Sequence, residues 1–236
     1  YFVPLLVMAR KWFRLAALTQ LLLVVVVILH PLSNGIEEGR LRIDFLDVGQ
    51  GDSAVLTMPD GRTLLVDGGG RPAAADKDGM KTDRRSIGEA VVSEYLWWRG
   101  MDTLDYVLAT HADADHIDGL NDVLRNFTVD AALVARSPGN DPEYAKFART
   151  VSTTRTNLAT LQASDVMRFG NITIEVLWPP ATTDLNAPSR NNDSIVLHVT
   201  YGNCKFLMTG DIEKPAERAL VESGEAKKGD VIGAAR

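Results

Sequence analysis

The longest apolar run in the chain lies near its N-terminus. Residues 15–29 are apolar at all but two positions, and extension to 13–32 approaches the length of about 20 residues that a membrane-spanning helix needs. Three basic residues precede the run: Arg10, Lys11 and Arg14. Such cations mark the cytoplasmic end of a membrane helix. The pattern therefore predicts a membrane segment over residues 1–32, with the rest of the chain on the extracytoplasmic side of the cytoplasmic membrane.

A cleaved signal peptide is the alternative for the same residues. Met8 and the basic residues after it are typical of the charged start of a signal peptide. No small-x-small cleavage site follows the apolar run, which favours an anchor. The chain opens at Tyr1 rather than at a methionine, and we expect it to be a piece of a longer protein, truncated at both ends.

After a linker at residues 33–40, short strand and helix patterns alternate over a domain of residues 41–236. The predicted strands are 41–48, 53–58, 63–66, 105–110, 131–135, 172–177, 195–201 and 204–208. The predicted helices are 86–99, 117–124, 143–151 and 215–222, and residues 71–85 are a polar loop. Strands interleaved with helices are typical of a layered α/β fold.

Composition and charge favour a globular protein and argue against some functional classes. The 236 residues are 45% hydrophobic and 24% charged, as expected of a globular protein with a sizeable core. The net charge of −6 argues against a sequence-independent nucleic-acid binder, because such proteins need a basic surface. The single cysteine, Cys204, excludes an intrachain disulfide, and its position in an apolar strand predicts that it is buried in the core.

Two of the four histidines fall within one stretch of six residues, His111-Ala112-Asp113-Ala114-Asp115-His116. Alternate residues of an extended strand end point the same way, so His111 and Asp113 can converge. Asp115 and His116 can face the same cavity where the chain turns into a helix. Two imidazoles and two carboxylates suit a divalent cation such as zinc or manganese. Helix capping is the alternative, but it accounts for one aspartate and for neither histidine.

Other strand ends carry side chains that can join this site. Asp211 follows a strand and a glycine, and it can reach a metal from a second strand tip or cap the next helix. Asp67, at a third strand tip, can orient a ligand histidine or form a turn. Three further residues can contact a substrate, although such clusters are common in turns: Asn191, Asn192 and Ser194.

The six-residue stretch resembles the H-x-H-x-D-H motif of the metallo-β-lactamase superfamily, with Asp113 in place of the second histidine. This variant resembles the C-terminal domain of the ComEC family, the inner-membrane DNA channel of natural transformation. Four further segments match in the family's order: Phe45 to Asp52, Leu65 to Gly69, Asn191 to Leu197 and Leu207 to Asp211. The resemblance covers about residues 41–232, and the apolar segment before them resembles the family's last membrane helix.

The resemblance implies an αββα sandwich with metals at the strand tips between two sheets, and a nuclease that degrades the DNA strand that is not imported. By motif, His111 and Asp113 hold one divalent ion, Asp115 and His116 hold another, and Asp211 bridges them. Asp115 and Asp211 are then the catalytic carboxylates. An aspartate in place of an imidazole hardens the first site and shifts its preference from zinc towards manganese.

In the family, a strand resembling residues 229–232 leads into a His-His-Gly segment that supplies the last ligand. Residues 233–236 are Gly-Ala-Ala-Arg instead, so we expect a C-terminally incomplete sandwich with a weakened second metal site. The implied partners are DNA, the membrane and the rest of a polytopic channel. Two alternatives remain open: a catalytically impaired module that guides DNA, and another hydrolase of the superfamily that acts on a small ester or lactam.

Overall fold

The structure is a computed structural model that describes residues 2–29, 39–71, 85–135, 141–182, 191–224 and 231–233. The chain forms two compact units. One comprises Tyr1–Gly35 with Trp98–Gly100, and the other comprises Ile36–Trp97 and Met101–Arg236. The predicted linker at 33–40 and the predicted loop at 71–85 lie largely outside the described residues.

The first unit contains helix α1 (Phe2–Leu29). The predicted apolar run forms its C-terminal half, and the helix continues towards the N-terminus through the three basic residues. The segment Arg10–Ile28 is long and apolar enough to cross a membrane, by length and composition. The described side chains of α1, at residues 10–28, are exposed, and a helix that is apolar on all sides is typical of a membrane span.

The second unit begins with a six-stranded sheet whose strands lie in chain order. They are β1 (Arg42–Phe45), β2 (Ala54–Thr57), β3 (Thr63–Val66), β4 (Thr103–Ala109), β5 (Thr128–Ala135) and β6 (Asn157–Leu161). Strands β1 to β3 are antiparallel, whereas β3 to β6 are parallel. Because parallel strands end at the same sheet edge, the segments after β3 and β4 emerge side by side.

A second sheet has five strands in the order β11-β10-β9-β8-β7. They are β7 (Val166–Phe169), β8 (Ile172–Trp178), β9 (Val196–Tyr201), β10 (Cys204–Met208) and β11 (Val231–Gly233). All neighbours are antiparallel except β10 and β11, which are parallel.

Helices cover the outer face of each sheet. They are α2 (Glu94–Trp98), preceded by a π-helical turn at Gly88–Ser93, then α3 (Ala114–Ile117), α4 (Leu120–Asn126), α5 (Pro142–Thr154) and α6 (Lys214–Ser223). In β4, Val107 packs in the cluster beneath the helices, while Leu108 packs between the two sheets. Leu220 of α6 packs on the other side of the second sheet. The unit is an αββα sandwich, which confirms the predicted fold.

Three details differ from the sequence prediction. The predicted helix at 117–124 is divided at Gly119, because the Gly119 N–H donates to the Gly69 carbonyl oxygen at 2.9 Å instead of to the preceding helical turn. Strands β6 and β7 were not predicted, since each buries one side chain and shows no apolar alternation. The core position predicted for Cys204 is wrong: Cys204 is exposed, because it is the first residue after the turn that joins β9 to β10.

Candidate metal centre

Strand tips from both sheets meet at one edge of the sandwich. The chain leaves β4 at Ala109 and reaches His111 two residues later, and the Ile195 N–H just before β9 donates to the Thr110 carbonyl oxygen at 2.9 Å. Gly210 follows β10 with a φ of +52°, and a Cβ on it would lie 3.3 Å from Thr110 Oγ1. The left-handed backbone favours a glycine here, and the second sheet also approaches the tip of β4 closely.

This junction brings three of the predicted ligands together. Ligand atoms of His111, His116 and Asp211 all lie within 4.8 Å of one another. The two imidazole rings are 4.2 Å apart between centroids. Both histidines are buried, whereas Asp211 is exposed, so the cluster forms the floor and rim of an accessible site.

Asp67 fixes both histidines from beneath. It follows β3, is 1% exposed and has a φ of +57°. One carboxylate oxygen accepts the Thr110 N–H at 2.8 Å. The other lies 2.9 Å from His116 Nδ1 and accepts the Thr110 hydroxyl at 2.7 Å.

These bonds determine which ring nitrogen of each histidine faces the site. Asp67 accepts the Nδ1–H of His116, which directs Nε2 of that ring into the cluster. Since the Thr110 hydroxyl proton goes to Asp67, the Thr110 oxygen accepts the Nδ1–H of His111 at 3.0 Å. Asp67 therefore orients His116 directly and His111 through Thr110, as supporting groups do for ligand histidines.

The charges of the cluster are strongly coupled. Burial lowers the pKa of His116, but the carboxylates of Asp67 and Asp211 outweigh it and raise that pKa to about 11. His116 in turn holds the pKa of Asp211 below its ordinary value, and His111 does the same for the pKa of Asp113. The carboxylates of Asp113 and Asp211 are therefore ionised at neutral pH.

The donor set fits a divalent metal ion. Within the described part of the chain, the Nε2 atoms of His111 and His116 are buried and have no hydrogen-bond partner. A buried polar atom without a partner is costly, and a metal ion is one way to satisfy it. The Asp211 carboxylate lies 3.4 Å from His116 Nε2 and the Asp113 carboxylate lies 3.7 Å from His111 Nε2. Imidazole and carboxylate donors of this kind hold zinc or manganese.

Asp115, the remaining predicted ligand, has a different neighbour. Its carboxylate accepts a hydrogen bond from Gln50 Nε2 at 3.2 Å, and it is not part of the three-residue group found among the described residues. The Gln50 loop packs on its backbone, since a Cβ on Gly51 would lie 1.7 Å from the Asp115 carbonyl oxygen. The structure thus places Asp115 at the rim, against the loop that follows β1.

Two of the three predicted substrate contacts, Asn191 and Asn192, lie around Glu213. Asn192 Nδ2 donates to a Glu213 carboxylate oxygen at 3.1 Å, and Asn191 Nδ2 donates to the other at 3.4 Å. Glu213 is the N-cap residue of α6, so the alternative in which Asp211 caps this helix is wrong. Ser194 is fully buried, and its hydroxyl lies near Gly210 at the junction of the two sheets.

Sequence reasoning missed Asp52 as a candidate residue of the site. Asp52 lines a cavity of about 20 Å³ together with Asp67, Thr110 and Gly210. Burial raises the pKa of Asp52 to about 6, a rise that Asp67 adds to and His116 opposes. The available signal was a carboxylate after a glycine at a turn, the same pattern that identified Asp211. Gln50 and Thr110 were missed too, because their roles depend on contacts that no local pattern shows.

Comparison with known proteins identifies a matching family and two related proteins. The family model of the metallo-beta-lactamase superfamily matches residues 46–233. The chain is 29% identical over 192 residues to ComE operon protein 3 of Bacillus subtilis (strain 168), covering 80% of this chain and 24% of that protein. It is 26% identical over 176 residues to the uncharacterized protein YcaI of Escherichia coli (strain K12), covering 75% of this chain and 19% of that protein. The chain thus spans about a quarter or less of the length of these relatives.

Among solved structures, a metallo-β-lactamase from Staphylococcus aureus subsp. aureus COL matches with a TM-score of 0.49 and 16% identity, over 83% of this chain and 55% of that one. The family match and the relative from the ComE operon confirm the resemblance that the sequence motifs indicated. The fold also implies binding of a divalent metal ion. The matched residues include every member of the cluster, and the chain therefore belongs to the metallo-β-lactamase superfamily.

Proposed function

We propose that this chain is a metal-dependent phosphodiesterase that cleaves DNA during uptake. The main support is the arrangement of His111, His116 and Asp211 at an accessible sheet edge. The Nε2 atoms of the two histidines are buried, lack a hydrogen-bond partner among the described residues and lie close to the Asp211 carboxylate. Membership of the metallo-β-lactamase superfamily gives the chain a hydrolase fold, which supports a hydrolytic reaction. The similarity to ComE operon protein 3 and the H-x-D-x-D-H variant favour DNA over a small ester or lactam.

The chain's own residues can be assigned roles in this reaction. His111, Asp113, His116 and Asp211 would hold divalent ions, with Asp115 beside them at the rim of the site. A bound divalent ion supplies Lewis-acid stabilisation to the phosphoryl oxygens. Asp67 and Thr110 keep both imidazoles oriented, which removes the entropy cost of ordering them when a phosphodiester binds. The harder donor set given by Asp113 favours manganese.

The direct test measures cleavage of a labelled single-stranded oligonucleotide by the full chain in detergent, with added manganese or zinc. We expect metal-dependent cleavage that is lost in His111→Ala and in Asp211→Ala. Asp130→Asn is the matched control, because Asp130 is an exposed carboxylate on β5. Metal binding without cleavage of any oligonucleotide, with DNA association that survives His116→Ala, would favour the DNA-guiding module instead.

The proposal also includes a location in the membrane and a partner. Residues 13–32 anchor the chain in the cytoplasmic membrane, and the sandwich lies on the extracytoplasmic side, where incoming DNA arrives. The three basic residues before the apolar run support this orientation. Both relatives are more than three times as long as this chain, which supports assembly with the remainder of a polytopic channel. Protease accessibility of the sandwich in intact spheroplasts tests the orientation.

A further inference from the structure

A cationic groove lies on the outer helical layer and shares no residue with the metal centre. It has a volume of about 250 Å³ and lies between α4 and α5. Its lining consists of three cations and three hydroxyl residues: Arg125, Lys146, Arg149, Thr150, Thr153 and Thr154. None of these six lining residues is acidic or apolar. This composition stands out in a chain whose net charge is −6.

The helix geometry explains why these side chains meet. Residues 146, 149, 150 and 153 of α5 follow the spacing that puts side chains on one helix face. Thr150 Oγ1 donates to Asn121 Oδ1 of α4 at 2.6 Å, and this hydrogen bond joins the two helices at the base of the groove. The hydroxyls of Thr153 and Thr154 donate to backbone carbonyls of their own helix, so hydrogen-bond donation into the groove comes from the cations.

The three cations keep donor capacity for a ligand. Arg125 uses one guanidinium nitrogen on Asp122 at 3.1 Å, and its side chain is 53% exposed. Within the described residues, the exposed Arg149 side chain makes no hydrogen bond or ion pair. A guanidinium has five N–H donors in a planar fork that matches phosphate oxygens.

We propose that this groove binds the phosphodiester backbone of single-stranded DNA and holds the strand next to the cleavage centre. The inference rests on the proposed function. Lys146 links the two places, because its ammonium pairs with the carboxylate of Asp118, two residues beyond His116. An anionic lipid surface is the less suitable ligand, since membrane-surface sites add apolar side chains to their cations and this lining has none.

The test is binding of a fluorescein-labelled oligothymidylate to the full chain in zwitterionic detergent, followed by anisotropy with EDTA present so that no cleavage occurs. Arg149→Glu and the double variant Arg125→Glu/Arg149→Glu reverse charge inside the groove. Arg218→Glu is the matched control, because Arg218 is exposed on α6, over the other sheet. We expect the dissociation constant to rise about tenfold in Arg149→Glu and further in the double variant.

The salt dependence gives a second readout. The slope of log affinity against log salt should fall by about 0.7 for each phosphate that the variant no longer binds, and Arg218→Glu should keep the wild-type slope. Equal affinities and slopes for Arg149→Glu and Arg218→Glu would overturn the proposal. So would unchanged oligonucleotide binding combined with weaker retention on micelles doped with phosphatidylglycerol, which would assign the groove to lipid.

The failure of this proposal is distinguishable from failure of the proposed function. Manganese-dependent hydrolysis of bis(p-nitrophenyl) phosphate, a diester too small to span the groove, should be the same in wild type and Arg149→Glu. Wild-type cleavage with no effect of the groove variants on binding removes the groove and leaves the nuclease. Weakened binding in the groove variants of a chain that cleaves nothing removes the nuclease and leaves the groove.

Discussion

Asp67 supports both histidines of the candidate centre, although it contributes no atom to the ligand cluster itself. It is buried, it orients His116 directly, and it orients His111 through the Thr110 hydroxyl. Its φ of +57° is unusual for a residue other than glycine, and aspartate and asparagine tolerate that conformation best. A strained position persists when the surrounding contacts determine it, and here those contacts are the two histidine supports.

We expect Asp67→Asn to lower manganese affinity about 10–100-fold while the sandwich stays folded. The asparagine fits the same backbone conformation, but it removes the charge that accepts the His116 Nδ1 proton and orients the Thr110 hydroxyl. Thr110→Val separates the two routes, because it should disturb His111 and leave the bond from His116 to Asp67 in place. Isothermal titration of the metal-free variants measures this, with circular dichroism as the folding control. Equal affinities in wild type and Asp67→Asn would remove the orienting role.

At the scale of elements, the loop between β1 and β2 and helix α3 form one unit of the site. Gly49 and Gly51 have φ values of +78° and +75°, but only Gly51 lies against α3. A Cβ on Gly49 would meet nothing within 4 Å, whereas one on Gly51 would lie 1.7 Å from the Asp115 carbonyl oxygen. The two glycines therefore share the backbone requirement and differ in the close approach.

This difference gives a matched pair of variants. Gly49→Ala should cost about 1 kcal/mol of unfolding free energy, from the left-handed backbone alone. Gly51→Ala should cost about 1–3 kcal/mol more, because the loop must move off α3. The displaced loop also loses the bond from Gln50 to Asp115, so metal affinity should fall only in Gly51→Ala. Urea unfolding and metal titration check both effects, and equal destabilisation by the two variants would contradict the close approach.

The elements also show where sequence reasoning succeeds. Strands β3 and β10 match their predicted ranges, because their ends are marked by turns and glycines. The exposed strand β6 gave no signal, since one of its five side chains is buried. In the site, local spacing found His111 and His116, and a carboxylate after a glycine at a strand end found Asp211. The partner of Asp115 is Gln50, 65 residues away, and no local pattern specifies a contact of that range.

At the scale of the whole sandwich, the two sheets are joined at the candidate centre. One backbone bond, from Ile195 N–H to the Thr110 carbonyl, links them beside the cluster. His111 and His116 come from the segment after β4 of the first sheet, whereas Asp211 follows β10 of the second. An ion held by all three side chains would therefore crosslink the sheets, and its binding free energy would add to the stability of the fold.

Metal binding should accordingly raise the thermal stability of the full chain in a manner that depends on pH. The gain is about 2.7 kcal/mol when the free ion is about 100 times its dissociation constant, which amounts to several degrees. Because the pKa of His116 is raised to about 11, the metal-free folded protein carries a proton on this ring at neutral pH, and the ion must displace it. In the metal-free protein, the stabilisation from that proton is present below pH 6.5 and is lost as the pH rises through about 11.

Manganese affinity should therefore rise with pH, by about tenfold per unit for one displaced proton, and the gain in Tm should be larger at pH 8 than at pH 6. Scanning calorimetry with and without manganese at the two pH values measures both effects. Asp211→Ala should abolish the gain at either pH, because it removes the ligand from the second sheet. Glu217→Ala, at an exposed position on α6, is the control that should keep it. A metal-induced gain that survives Asp211→Ala would place the ion on one sheet alone and remove the crosslink.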